Sequence, residues 1–177
     1  MLKACSTSRT SFVCVAALAG ALAAGSALAV EPPNPKDLTQ GHWELQLDKS
    51  KFCNPSQAPQ KSVRDIVDEG YGLISVHWTG ISASGKPMDI HYVYSFDGRK
   101  FPAGIYGPSK AKESITYHLI NPHRVEFQHW SMDGKRTQDL VRTVSDDGQT
   151  MTQTTKLSNR PGCEDVQVFE RGERRSD

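Results

Sequence analysis

"VSDDGQTMTQTT" (residues 144–155) sets two aspartates and a glycine against a run of threonines, and the fold of the chain turns on what it is. A calcium loop of the EF-hand kind needs acidic oxygens at alternate places, glycine at the sixth and a bidentate glutamate at the twelfth. Counted from Asp146, the third place is Gly148, the sixth Met151 and the twelfth Leu157, so the ligands are missing. The threonines instead alternate as Thr150, Thr152 and Thr154, which is how one face of a strand is written. Asp-Gly supplies the positive φ that a tight hairpin turn demands. The stretch is a hairpin tip and the strand that leaves it.

Asp-Gly recurs at Asp97-Gly98 and Asp133-Gly134, and "ASGKP" (83–87) and "NPHR" (121–124) add further turn signals. Between them the apolar residues keep a period of two: Trp43, Leu45, Leu47; then Ile74, Val76, Trp78; then Ile90, Tyr92, Tyr94, Phe96. Ile115, Tyr117 and Leu119 follow, and then Val125 and Phe127. Such alternation, rich in β-branched and aromatic residues, marks half-buried strands. Only 47–52 and 107–114 leave room for a helical turn. The expected fold is all-β, an antiparallel up-and-down meander of about 8–10 strands. Closing it into a barrel removes two exposed edges.

The N-terminus is a separate object. Lys3 and Arg9 precede the apolar run "FVCVAALAGALAAG" (12–25), and Ala27-Leu28-Ala29 has the small-x-small form of a cleavage site. This predicts a signal peptide at 1–29, a flexible linker at 30–40, a barrel at 41–171 and a tail at 172–177, with the protein periplasmic or secreted. No transmembrane segment is expected after the signal is removed. Losing Lys3 and Arg9 from 21 basic residues leaves 19 against 20 acidic ones, which gives no electrostatic reason to bind nucleic acid. Of four cysteines only Cys53 and Cys163 remain, and in an oxidising compartment they are expected to pair as a disulfide.

The expected chemistry is sparse. No G-x-S-x-G, S-x-x-K, H-E-x-x-H or glycine-rich phosphate loop is present, so no catalytic residue, cofactor or metal is assigned. His77 and His91 lie symmetrically about residue 84 and are expected to face each other across a hairpin, with Asp89 on the same face as His91. Zinc prefers three or four ligands, and His77 alternates with Val76 and Trp78, so the pair is taken as surface histidines. The inward aromatics Trp78, Tyr92, Tyr94, Tyr117 and Phe127, with His129 on the face of Phe127, are the candidate ligand-binding residues. Packed core is the simpler reading of the same ring set, although buried phenols need hydrogen-bond partners.

"GHWELQLDKSKF" (41–52), "GLISVHWTGISASGKP" (72–87), "YSFDGRKFPA" (94–103), "NPHRVEFQHWSMDGK" (121–135) and "VSDDGQTMTQTT" occur in this order from Gly41 towards Phe169. Together they resemble a group of small, secreted, largely uncharacterised bacterial proteins of lipocalin-like build. The resemblance implies a lipocalin-like barrel with Trp43 as a packing element at its base, and carries no catalytic residue. The disulfide rests on the cysteine count and not on the resemblance. The leading expectation is an exported β-barrel that binds a small, partly apolar ligand in its interior. The alternatives are an envelope protein-interaction module docking through 106–113, and an enzyme with His129 and a nearby acid at the barrel mouth.

Overall fold

The computed structural model describes residues 37–103 and 113–173. The expected signal peptide, most of the 30–40 linker, most of the 106–113 segment and most of the tail lie outside the described residues. Ten strands follow the alternating runs: β1 (Gly41–Lys51), β2 (Lys61–Gly70), β3 (Leu73–Ile81), β4 (Pro87–Tyr94) and β5 (Phe101–Ala103). They continue as β6 (Glu113–Asn121), β7 (Arg124–Ser131), β8 (Arg136–Val144), β9 (Thr150–Leu157) and β10 (Glu164–Arg171). All pairings are antiparallel, in the order β4-β3-β2-β1-β10-β9-β8-β7-β6-β5. This is the up-and-down meander, nearly closed into a barrel.

The turn chemistry is local. Three corners share Ser-x-Asp-Gly: at 95–98, 131–134 and 145–148. In each the serine hydroxyl donates to the aspartate carboxylate, Ser95 to Asp97 and Ser145 to Asp147 at 2.5 Å, and Ser131 likewise to Asp133. The glycines take φ of 76°, 79° and 71°, where a Cβ would strain the backbone. The last two corners are hairpins, as expected for "VSDDGQTMTQTT". Asp97-Gly98 is not, because β4 and β5 are neighbours without a shared ladder. The stretch 47–52, which left room for a helical turn, is strand as far as Lys51. Strand β1 has a register shift there between Gln46 and Lys51, stabilised by Ser50 Oγ donating to Gln46 O, and a 3₁₀ turn follows at Pro55–Gln57.

The base of the barrel is packed around Trp43, which is fully buried. Its indole N–H donates to Thr39 O at 2.7 Å, and the Arg171 guanidinium lies 4.2 Å above its ring. Arg171 also donates to the carbonyls of Leu38, Gln40 and Gly148, which ties the segment before β1 to the end of β10. The end of the expected flexible linker is therefore held to the barrel: Asp37 and Thr39 are buried, and Leu38 N donates to Pro122 O at 2.9 Å. Gly41, at φ 137°, lets Arg171 pass; a Cβ there would meet its Nη1 at 2.1 Å.

Strands β1 and β10, at opposite ends of the sequence, close the ladder, with Trp43 opposite Arg171 and Leu45 opposite Phe169. Cys53 and Cys163 flank that junction with Cα atoms 5.5 Å apart, within disulfide range. Among the described residues no helix is long and apolar enough to cross a membrane. A bond joining residues 110 apart removes denatured-chain entropy worth about 5 kcal/mol. Reduction, or the Cys53→Ser/Cys163→Ser pair, is expected to lower the unfolding free energy by up to that amount without changing the far-ultraviolet β signature. Denaturant titration with and without reductant measures it.

Candidate functional site

The barrel interior is built by every second residue of each strand. From β2 come Ser62, Arg64 and Ile66; from β8 come Leu140, Arg142 and Val144, all of them buried. Arginine here occupies places that the alternation reserves for apolar side chains. Arg64 stacks between Trp78 (4.9 Å) and Phe169 (4.5 Å), and Arg142 lies 4.6 Å over Phe127. Both guanidiniums point to one acceptor: Gln153 Oε1 takes Arg64 Nη1 at 2.5 Å and Arg142 Nε at 2.9 Å. Arg64 Nη2 donates to Gln167 Oε1 at 3.1 Å, and Arg142 Nη2 to the Tyr92 hydroxyl at 3.4 Å.

Among the described residues neither arginine forms a salt bridge, and Arg64 Nε and Arg142 Nη1 have no hydrogen-bond partner. Burying a charge without an opposite one costs several kcal/mol. The effect is visible in the pKa of Arg64, pushed down to about 10 by burial and then by the Arg142 charge. Burial alone would raise the Tyr92 phenol, but Arg142 and Arg64 outweigh it and bring it below the ordinary tyrosine value. Asp37 is a buried carboxylate that feels Arg142, yet burial raises its pKa and both its oxygens are engaged by Thr39.

The expected ligand residues are brought together, but in two different roles. Tyr94 and Tyr117 are stacked at 3.6 Å and 10°, and Tyr117 and Phe127 at 4.6 Å and 8°. This column joins β4, β6 and β7 across the place where β4 and β5 share no ladder, and it is essentially closed to solvent. Trp78, Tyr92 and His129 remain only half-buried although they share the inward faces of β3, β4 and β7. Tyr92 is the informative one. Its hydroxyl accepts from Tyr117 at 3.3 Å and from Arg142 at 3.4 Å, so it points into the barrel.

His129 Nδ1 lies 3.0 Å from Glu113 Oε2, the His–carboxylate geometry a general base requires. Among the described residues no serine, threonine or cysteine hydrogen-bonds its other nitrogen. Burial, then the Arg142 charge, lowers the His129 pKa despite the opposing bond to Glu113. His77 and His91 are cross-strand partners as expected, with rings stacked at 3.8 Å on the outer face. Arg64, Arg142 and Gln153 were missed by searching the inward faces for aromatics alone. The signal that finds them is a polar residue in phase with apolar ones, as in "DLVRTV" (139–144).

No protein-family model and no curated protein matches the chain. Solved structures do match it, at the level of fold. A variant of the fluorescent protein UnaG has TM-score 0.56 at 15% identity, covering 77% of this chain and 98% of its own. The fatty-acid-binding protein 1 of Echinococcus granulosus has TM-score 0.54 at 14% identity, with the same coverages. As-p18, an extracellular fatty acid binding protein, has TM-score 0.56 at 10% identity. The lipocalin-like barrel expected from sequence is a ten-stranded antiparallel barrel, nearly closed, whose fold is like that of these proteins.

Two outcomes follow from this geometry. Tyr94→Ala removes the β4 member of the sealing stack, and is expected to cost about 3–5 kcal/mol of unfolding free energy in a denaturant titration. Because burial lowers the His129 pKa in the fold, the unfolded chain takes up its proton first, below a pKa of about 6.5. Its contribution to stability is complete above that pH and is lost as pH falls. His129→Gln should flatten the decline in melting temperature as pH falls below about 6.5.

Proposed function

We propose that this protein binds a small, partly apolar, acidic molecule inside the barrel, with its anionic group held by Arg64 and Arg142. The observation that carries this is two guanidiniums in the interior that share one amide oxygen and keep buried N–H groups without acceptors among the described residues. A carboxylate accepts several charge-assisted hydrogen bonds and neutralises part of the pair's repulsion, which a neutral amide cannot do. Tyr92 supplies a further polar contact and the half-buried Trp78 supplies apolar surface, with Ile90 and Leu140 buried on the same inward faces. The likeness to ligand-binding barrels supports the container; the preference for an acid rests on the two arginines.

Export, to the periplasm or outside the cell, belongs to the same proposal. It is supported by the basic start, apolar run and Ala27-Leu28-Ala29 of the N-terminus, and by two cysteines at disulfide distance. A barrel of this kind would carry or buffer a poorly soluble acid in an aqueous compartment.

The experiment compares one tail with two head groups. Delipidated protein is titrated calorimetrically with oleate and with oleyl alcohol below their critical concentrations. The acid is expected to bind about tenfold to a hundredfold more tightly, the worth of hydrogen bonds to a charged group. Arg142→Gln should remove most of that advantage while leaving the alcohol little changed. Equal affinities for acid and alcohol, or no binding of either together with no acid recovered from freshly purified protein, would overturn the proposal.

A further inference from the structure

The outer surface of the β3–β4 hairpin gathers a second cluster of polar side chains, facing away from the interior. Alternation sends Thr79, His77 and Ser75 outward from β3, and Asp89, His91 and Val93 outward from β4. The ladder sets His77 directly opposite His91, and Asp89 one pleat away. The two imidazole rings stack at 3.8 Å with an interplanar angle of 19°. Their Nε2 atoms converge on one oxygen: Asp89 Oδ1 is 2.9 Å from His77 Nε2 and 3.2 Å from His91 Nε2. Ligand atoms of all three lie within 4.8 Å of one another.

We propose that His77, Asp89 and His91 form a binding site for a first-row divalent cation, zinc or copper(II). Two nitrogens and one carboxylate oxygen are a donor set that suits these ions and not magnesium or calcium, which take oxygen ligands. The spacing fits as well. Ligand bonds of about 2.1 Å put two donor atoms of a tetrahedral site about 3.4 Å apart, and Asp89 Oδ1 already lies 2.9 and 3.2 Å from the two Nε2 atoms. Three protein ligands leave a fourth position for water, the arrangement of a reactive or exchangeable zinc and not of a closed structural one. All three side chains are open to solvent, with exposures of 40%, 72% and 68%, so a cation reaches them without any opening of the barrel.

The neighbouring groups define the site's limits. Asp65, the partner of His77 on β2, is engaged by His42 Nδ1 at 2.8 Å, and Glu44 lies beyond it at 3.4 Å from His42 Nε2. His42 with Asp65 is therefore the competing location, and it is more enclosed, with the His42 side chain 15% exposed.

Untagged, chelator-stripped protein titrated with zinc sulfate, and separately with copper sulfate, tests the assignment. One equivalent of each is expected to bind, copper more tightly than zinc, with magnesium and calcium giving no competition. His77→Ala, His91→Ala and Asp89→Asn should each weaken binding by about tenfold or more, with unchanged circular dichroism. His118→Ala, at another exposed histidine, should leave it unaltered. Selective loss of the His77 and His91 imidazole signals on adding sub-stoichiometric copper would place the ion directly. Absence of stoichiometric binding overturns the assignment, as does binding that survives His77→Ala and His91→Ala but is lost in His42→Ala. Oleate binding is read in parallel, and the three variants should leave it unchanged, because their side chains face away from the interior.

Discussion

Two guanidinium groups share one amide oxygen in the middle of this barrel, and much of the surrounding sequence answers that constraint. Gln153 and Gln167 stand where the alternation would allow valine or leucine, because only polar side chains there can accept from Arg64 and Arg142. Trp78 and Phe169 flank one charge and Phe127 the other, and aromatic faces are a lower-cost bed for a cation than aliphatic groups. Even so the account is left with a surplus of positive charge. An interior tuned only for stability would replace the arginines by packed apolar residues, a change that often leaves proteins as stable or more so. Under the proposed function, the two arginines are the part of the interior kept for an anion.

The aromatic residues divide their labour around that centre. Tyr94, Tyr117 and Phe127 are structural: their stacked rings bind β4 to β6 and β7 where the backbone offers no ladder. Tyr92, from the same strand as Tyr94 and only two residues earlier, turns its hydroxyl to Arg142 and stays only half-buried. Neighbouring rings of the same chemistry thus serve as wall and as contact, and the difference lies in which strand each one meets. The base is sealed separately, by Trp43 under Arg171.

The fold was legible because it is written locally. Period-two runs and Gly-containing corners name the strands and turns, and "VSDDGQTMTQTT" states both in twelve residues. The seam between β4 and β5 was not legible, since "SFDGRKFP" (95–102) looks like any other Asp-Gly hairpin until the strand partners are known. The inward aromatics could be listed from phase alone, but phase does not tell a packed ring from an exposed one. Arg142 was readable in principle, lying in register with Leu140 and Val144. What the sequence could not disclose was that Arg64, 78 positions earlier, points to the same oxygen. His77 and His91 are the converse case: the pairing was foreseeable from the turn, and the convergence on Asp89 needed coordinates.

The closing pair β1–β10 has a consequence for the order in which the chain becomes structured. Every other bonded neighbour in the sheet is consecutive in sequence, so those contacts form at small entropic expense from short loops. Joining Trp43 to Arg171 instead gathers the two ends of the domain, and it is the one pairing whose search spans the whole meander. A covalent link between Cys53 and Cys163 made while the chain is still open would turn that long search into a local one. In this light the cysteine pair is a guide for assembly as well as a clasp. Its value is greatest before the barrel exists, when the two ends of the domain have still to find each other.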